Sequence, residues 1–388
     1  MTQKVTGLHS VPALTPTLIR QLAAELGIRP TKKLGQNFVH DAGTVRRIVQ
    51  IAGVTSTDSV LEIGPGLGSL TLALLEQGAQ VTALELDRIL AGALPQTIGR
   101  LTPDFAERLH VVCMDGLELS GWPPQVLTLD PVSATVSTSA GQEHPDALVV
   151  PAEQLPPAHV TNSRTESSVE PMGGVFPPAP RFLVANLPYN VSVPLLLNAL
   201  EALPSLKSAT VMVQAEVADR MSAQPGSKVY GAPTVKLAWY GAAKLAGTVS
   251  RRVFWPVPNV DSALVKWDRG QTQGTDTLRR VTFKLVDAAF GQRRKKIRTP
   301  LKEWLQAANL GMPVGVTVDE LLEAARINSD ARAEALTIDD YVRLGKAVLE
   351  LSRSELGLAQ KVAEREQEGA VRSRGAALRL VAEGRELA

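Results

Sequence analysis

The tetrapeptide Asn186-Leu187-Pro188-Tyr189 follows an apolar run of strand type at residues 181–185. The amide oxygen of Asn186 and the backbone carbonyl of Leu187 could together accept the hydrogens of an exocyclic amine and draw its nitrogen toward tetrahedral geometry. Pro188 fixes its own φ and biases Leu187 toward an extended conformation, which holds that carbonyl in place. Tyr189 offers a flat face for an extracted base. The motif predicts group transfer to an amine such as adenine N6, and a purely geometric turn is the alternative.

A glycine-rich segment, Glu62-Ile63-Gly64-Pro65-Gly66-Leu67-Gly68, follows an earlier strand-like run. Gly64 and Gly66 let the backbone pass close to a ligand, and the helix that follows directs its N-terminus toward that ligand. Glu85, at the end of the next strand, could accept from a ribose diol, and Asp115 could accept from an adenine amino group. The G-x-G-x-G spacing differs from the dinucleotide fingerprint. A tight structural turn, with Asp115 as an ordinary turn residue, is the competing interpretation.

Strands and helices alternate around these motifs, which predicts a doubly wound, Rossmann-like α/β sheet followed by a smaller all-helical domain. The predicted strands are residues 59–63, 80–86, 110–114, 181–185, 208–214, 242–249 and 263–267. The predicted helices are residues 17–26, 45–52, 69–77, 195–203, 216–222, 278–290, 301–310, 317–325 and 338–351.

Composition divides the chain into four predicted segments. Residues 1–19 form a lead-in, and residues 20–270 form the α/β domain. Within that domain, residues 121–181 are rich in Pro, Ser, Thr and Val without sustained periodicity, which predicts a flexible insertion. Residues 275–352 form the helical domain, and the charged tail 353–388 is either a frayed amphipathic helix or disordered.

Bulk properties exclude several classes of protein. The formal net charge of the 388 residues is +2, so any nucleic-acid footprint must be local. One cysteine and five scattered histidines predict neither a disulfide framework nor a metal site. The absence of a signal-type apolar core or a membrane-spanning stretch predicts a soluble, cytoplasmic protein without a membrane partner.

A basic segment follows the first predicted helix of the helical domain, which ends at Phe290. It consists of Arg293, Arg294, Lys295, Lys296 and Arg298, and no acidic residue lies between Asp287 and Glu303. Lysine and arginine packed in this way suit phosphate contacts, so the segment predicts RNA binding. A solvated helix start is the alternative for an isolated run of this kind.

These motifs together resemble the ribosomal RNA small-subunit adenine-N6,N6-dimethyltransferase family, which is similar in turn to the erythromycin-resistance methyltransferases and the mitochondrial transcription-factor-B proteins. The resemblance spans about residues 20–350 apart from the insertion, and Gly35-Gln36-Asn37-Phe38 joined with Asn186-Leu187-Pro188-Tyr189 is its most specific part. The other matching stretches are residues 33–34, 62–68, 85–87, 115, 254–262 and 290–298.

The resemblance implies an enzyme that uses S-adenosylmethionine to dimethylate two adjacent adenosines near the 3′ end of small-subunit (16S) rRNA, within a ribosomal assembly intermediate. We expect a monomer. Phe254 would form the second face of a sandwich around the flipped adenine, opposite Tyr189. The implied cofactor contacts are Asn37, Val39 and Gly64 at the methionine end, Gly66 in the glycine turn, Glu85 at the ribose, Asp115 at the adenine and Asn186 at the transfer site.

Two departures and three alternatives accompany this assignment. Val39 stands where the family usually has leucine, and the insertion at 121–181 departs from the compact family pattern. A sister enzyme acting on large-subunit RNA or DNA would share the catalytic motif. A non-catalytic ribosome-assembly or transcription factor would share the fold. An NAD-dependent oxidoreductase is disfavoured by the glycine spacing and by the motif at 186–189.

Overall fold

The strands build one large sheet and one short ribbon. The computed structural model describes residues 14–28, 37–124, 177–271, 273–307 and 316–352. Within them the strands are β1 (Phe38–Val39), β2 (Ser59–Ile63), β3 (Gln80–Glu85), β4 (Leu109–Cys113), β5 (Phe182–Asn186), β6 (Ser208–Gln214), β7 (Gly241–Val249), β8 (Phe254–Trp255) and β9 (Ser262–Arg269).

The large sheet has seven strands in the order β4-β3-β2-β5-β6-β9-β7. Strands β4, β3, β2, β5 and β6 are parallel, whereas β9 runs antiparallel to both β6 and β7. The chain proceeds outward from β2 on one side through β3 and β4, and on the other through β5 and β6. This reversal creates a switch point at the carboxyl ends of β2 and its neighbours, where open α/β sheets bind ligands.

Helices accompany the sheet. They are α1 (Pro16–Glu25), α2 (Ala42–Ala52), α3 (Ser69–Glu76), α4 (Arg88–Leu101), α5 (Ser192–Ala202), α6 (Ala215–Met221) and α7 (Ala232–Ala238). Every residue of β2 is buried, as expected for a strand of a parallel sheet covered on both faces. These features confirm the predicted Rossmann-like class.

Local sequence sets the boundaries of α2. Asp41 caps its N-terminus, because the carboxylate accepts from the backbone amide of Thr44 at 2.6 Å. Gly53 ends the helix in the left-handed conformation. The buried residues Val45, Ile48 and Val49 recur at helical spacing and join the main hydrophobic core.

The short ribbon pairs β1 with β8 in antiparallel register. Phe38 lies opposite Trp255, with ring centroids 6.3 Å apart and planes 24° from parallel. Val39 lies opposite Phe254. Because these two strands are far apart in sequence, the ribbon fastens the segment before α2 to the segment before β9.

The C-terminal part is helical, as predicted. It contains α8 (Asp276–Gly291), α9 (Arg298–Ala307), α10 (Val318–Ala324) and a last helix, α11, over residues 338–352. Its core includes Leu285, Leu321 and Tyr341, and it also takes in Tyr230 and Val235 from the region around α7. The Tyr230 hydroxyl donates to the Leu336 carbonyl at 2.9 Å. The helices are therefore packed directly onto the sheet region.

Several predicted segments extend beyond the described residues. Residues 1–13 of the lead-in, 125–176 of the insertion and the tail 353–388 all lie outside them. At the described ends of the insertion, the indole nitrogen of Trp122 donates to the Pro177 carbonyl at 2.9 Å. Residues 122 and 177 are therefore neighbours.

Candidate active site

The glycine turn between β2 and α3 forms the floor of the site. Gly64, Gly66 and Gly68 have φ values of 71°, 58° and 96°, a region that favours glycine. A Cβ added at Gly66 would lie 2.9 Å from Cε1 of Phe38, so the turn has room for backbone alone. The sequence prediction of a close backbone approach therefore has a geometric basis.

Glu85 ends β3 beside this turn and is 7% exposed. Its Oε2 accepts from the amide of Gly66 at 3.0 Å, and its Oε1 accepts from the amide of Asp87 at 2.9 Å. Burial raises the pKa of Glu85 above its ordinary value, while these amide bonds oppose the rise. The carboxylate is thereby fixed at the edge of the turn with further lone pairs available to a ligand.

A cavity of about 420 Å³ opens at the carboxyl ends of these strands. Its volume falls within the roughly 300–1,000 Å³ typical of small-molecule sites. Of the eleven residues predicted for catalysis and cofactor binding, eight line it: Asn37, Val39, Gly64, Gly66, Glu85, Asp115, Asn186 and Pro188. Tertiary structure thus brings residues from five separate stretches of sequence into one wall.

Asn186 ends β5 at the rim of the cavity. Its amide nitrogen donates to the backbone carbonyl of Asn37 at 3.1 Å, which directs the amide plane and leaves Oδ1 without a donor among the described residues. The amide of Leu187 donates to the carbonyl of Met212 at 3.1 Å, and no described backbone amide donates to the Leu187 carbonyl. Both oxygens are therefore without a hydrogen-bond donor in the described part of the chain.

The remaining three predicted residues do not line the cavity. The hydroxyl of Tyr189 lies 2.7 Å from the Oγ of Ser262, and its ring is half-buried; burial raises the pKa of this phenol. The Leu187 side chain is buried. Phe254 is 1% exposed within the hydrophobic core, because its pairing with Val39 turns the ring inward. In this conformation Phe254 has no free face to offer a base, contrary to the expectation from sequence.

Comparison with known proteins identifies the family of this chain. The sequence profile of the family described as ribosomal RNA adenine dimethylase matches residues 28–344. The chain belongs to the ribosomal RNA adenine dimethylase family. This confirms the family predicted from the motifs, the enzyme class and S-adenosylmethionine as its cofactor.

Two relatives and one solved structure illustrate the similarity. The "Ribosomal RNA small subunit methyltransferase A" of Leifsonia xyli subsp. xyli is 48% identical over 338 residues, covering 87% of this chain and 99% of the relative. The protein of the same name from Thermobifida fusca is 44% identical, covering 86% and 95%. A dimethyladenosine transferase from Plasmodium falciparum has a TM-score of 0.55 at 22% identity, covering 79% and 95%, and supports the fold.

The cavity of this dimethylase fits S-adenosylmethionine. A Cβ added at Gly64 would meet nothing closer than 4.0 Å, so the backbone there has room for a ligand. Glu85 retains lone pairs suited to a ribose diol. The wall carries the carboxyl groups of Glu62, Glu85, Asp87 and Asp115, and among the described residues it carries no Lys, Arg or His. Such a wall suits a ligand with net positive charge, which this cofactor has because a sulfonium and an ammonium outnumber its one carboxylate.

Four polar residues of the cavity wall escaped the sequence-based assignment of roles: Glu62, Ser69, Asp87 and Asn190. Glu62, the penultimate residue of β2, is 1% exposed and accepts from the Thr71 hydroxyl at 2.7 Å. Ser69, the first residue of α3, donates its hydroxyl to the Val39 carbonyl at 2.5 Å. The place of Ser69 directly after Gly68 is a signal that could have indicated it. The burial of Glu62 could not be foreseen, because it sits within a motif that was interpreted through its glycines.

Three of the five cations of the basic segment form ion pairs with acidic side chains. Arg293 pairs with Glu334 at 2.7 Å, Lys296 with Asp330 at 2.8 Å and Arg298 with Asp319 at 2.6 Å. The lack of nearby acidic residues in sequence was misleading, because these partners arrive from residues 319–334. Arg294 and Lys295 are exposed, and their side chains form no ion pair with the described residues.

Two features are absent from the described part of the chain. No helix there is long and apolar enough to cross a membrane. No group of three or more His, Cys, Asp or Glu side chains in those residues is arranged to hold a metal ion.

Proposed function

We propose that this dimethylase acts on N6 of two adjacent adenosines near the 3′ end of small-subunit rRNA. The relatives that cover nearly all of this chain carry the name small subunit methyltransferase A. The observation that carries the chemistry is a pair of acceptors without described donors, the Oδ1 of Asn186 at the cavity rim and the carbonyl of the next residue, Leu187. Both stand beside a cavity that fits the cofactor.

The amine of adenine is a poor nucleophile because its lone pair is delocalised into the ring. Asn186 and Leu187 would accept the two N6 hydrogens and thereby favour a tetrahedral nitrogen, whose lone pair is then available. S-adenosylmethionine supplies an activated methyl group and a neutral leaving group. Catalysis would rest on positioning and aligned acceptors, with Pro188 fixing the carbonyl of Leu187.

The cofactor contacts follow from the cavity wall. Asn37 and Val39 would lie over the methionine end with Gly64 and Gly66 beneath, Glu85 would accept from the ribose and Asp115 from the adenine amino group. Tyr189 would stack on the target base from the side of its exposed ring face. Phe254 is left out of this proposal because its ring is enclosed in the core.

Recognition of the RNA would rest on the helical region, residues 275–352, with the enzyme acting as a monomer on a ribosomal assembly intermediate. Arg294 and Lys295 are the exposed cations of the basic segment that have no carboxylate partner among the described residues. Because one flipped adenine is too small a feature to identify a site, selectivity must come from the surrounding RNA shape. Phosphate contacts would position the enzyme while the cavity performs the chemistry.

The test compares purified small-subunit particles, large-subunit particles and a short hairpin as substrates, with methylated adenosines identified by mass spectrometry. We expect dimethyladenosine on small-subunit particles above all. Methylation confined to large-subunit RNA would overturn the proposed substrate. Absence of methylation on any RNA by protein that binds the cofactor would overturn the proposed reaction.

Docking is tested by the double variant Arg294→Glu/Lys295→Glu. It should weaken binding to small-subunit particles and flatten the salt dependence, with cofactor affinity unchanged. The matched control, Lys284→Glu/Lys346→Glu, makes the same charge change at exposed positions of α8 and α11. Equal losses in both variants would show a general charge effect and refute a specific role for Arg294 and Lys295.

A further inference from the structure

The four carboxyl groups of the cavity wall differ in the hydrogen-bond donors that hold them. Glu85 accepts from two backbone amides. Asp115 accepts from the amide of Leu117 at 2.9 Å. Asp87 accepts from the amides of Ile89 and Leu90 at the start of α4. Backbone amides therefore donate to each of these three carboxyl groups.

Glu62 lacks such support. It is 1% exposed, and among the described residues its side chain accepts a hydrogen bond from the Thr71 hydroxyl on α3. Of the strands paired with β2, β3 brings the carboxyl of Glu85 to the same cavity, and β5 brings the uncharged Asn186. Asp87 and Asp115 complete the charged groups of that wall.

Electrostatics at this position favour the protonated form. Burial raises the pKa of Glu62 to about 8, the Thr71 hydroxyl opposes the rise, and the charge of Glu85 adds to it. A cation entering the cavity would reverse the balance, because an opposite charge nearby favours the ionised carboxyl. The charge state of Glu62 thus depends on what occupies the cavity.

We propose that Glu62 is a proton-linked part of the cofactor site, protonated in the free protein and ionised when the cationic methionine end of S-adenosylmethionine occupies the cavity. The O–H bond of the carboxyl group breaks, and its proton passes to the solvent. Binding thereby converts a neutral group into the counter-charge of the ligand. This inference rests on the proposed function, since it takes the cofactor as the occupant.

Isothermal titration of S-adenosylmethionine at pH 7, in buffers of different ionisation enthalpy, measures the protons released on binding. With a pKa of about 8, about nine-tenths of Glu62 is protonated at this pH, so release should approach about 0.9 proton per site. Glu62→Gln should release almost none. Adenosine, which lacks the cationic end, should release none from the wild type; release equal to that of S-adenosylmethionine would overturn the proposal.

A second variant keeps the test decisive if Glu62→Gln does not fold. Thr71→Val removes the hydroxyl that stabilises ionised Glu62, so proton release should persist to higher pH than in the wild type. Identical release by the wild type and Glu62→Gln, or coincident pH profiles for the wild type and Thr71→Val, would overturn the proposal. Wild-type protein that binds cofactor and methylates rRNA without releasing protons would refute this inference while leaving the proposed function intact.

Discussion

Replacing Gly66 by alanine tests whether the glycine turn is shaped by its neighbours. Gly66 has a φ of 58°, which costs an alanine about 1–2 kcal/mol. The added Cβ would lie 2.9 Å from Cε1 of Phe38, a ring that is 7% exposed and stacked on Trp255. Overpacking of this kind costs about 1–3 kcal/mol. The two effects together predict that Gly66→Ala lowers the free energy of unfolding by about 2–5 kcal/mol.

The same substitution should weaken cofactor binding. The Gly66 amide donates to Glu85, and both Gly66 and Phe38 line the cavity, so a shift of either disturbs the wall. We expect S-adenosylmethionine affinity to fall about tenfold or more, equivalent to ~1.4 kcal/mol or more. Urea denaturation measures the stability and isothermal titration the affinity.

Gly92→Ala is the matched control. Gly92 lies in the interior of α4 with nothing within 4 Å of an added Cβ, so alanine should stabilise the helix by about 0.5–1 kcal/mol. Cofactor affinity should not change. A Gly66→Ala protein within about 0.5 kcal/mol of the wild-type stability, with unchanged affinity, would refute the argument that Phe38 and the left-handed turn demand glycine here.

Three further predictions concern other parts of the molecule. Asn186→Ala should bind cofactor but lose most turnover in single-turnover assays, because its acceptor matters chiefly at the transition state; a loss of only a few-fold would exclude that role. Glu62→Gln should flatten the pH dependence of stability. The pKa of Glu62 is 4.5 in the unfolded chain and about 8 in the folded protein, so between these values the folded state binds one more proton. The free energy of unfolding of the wild type therefore falls by ~1.4 kcal/mol per pH unit across this window. Parallel wild-type and variant curves in urea titrations at pH 5.5 and 7.5 would contradict this. Replacing residues 125–176 with a short Gly-Ser bridge should leave a folded, active enzyme, because Trp122 contacts Pro177 directly. Circular dichroism measures folding and a methylation assay measures activity, and loss of either would contradict this prediction.

The sequence was informative about elements with strong local signals. Strands β2 and β6 begin and end at the predicted residues, since each is an apolar run bounded by polar or turn residues. Helix α4 was not predicted, because Gly92, Pro95 and Gly99 weaken the helical signal along it. Helix α7 and the ribbon of β1 and β8 also went unpredicted, being too short to show a period.

For the site, sequence determined which residue types could perform the chemistry, and tertiary structure decided which of them meet. The sequence identified four candidates, the glycine turn, Glu85, Asp115 and Asn186, because each lies at or just after the end of a strand. Parallel strands place their carboxyl ends at one edge of the sheet. Three other features could not be identified from the sequence. They are the inward orientation of Phe254, the carboxylate partners of Arg293 and Lys296, and the burial of Glu62. Each depends on packing between segments distant in the chain, and burial and charge pairing arise only when those segments fold together.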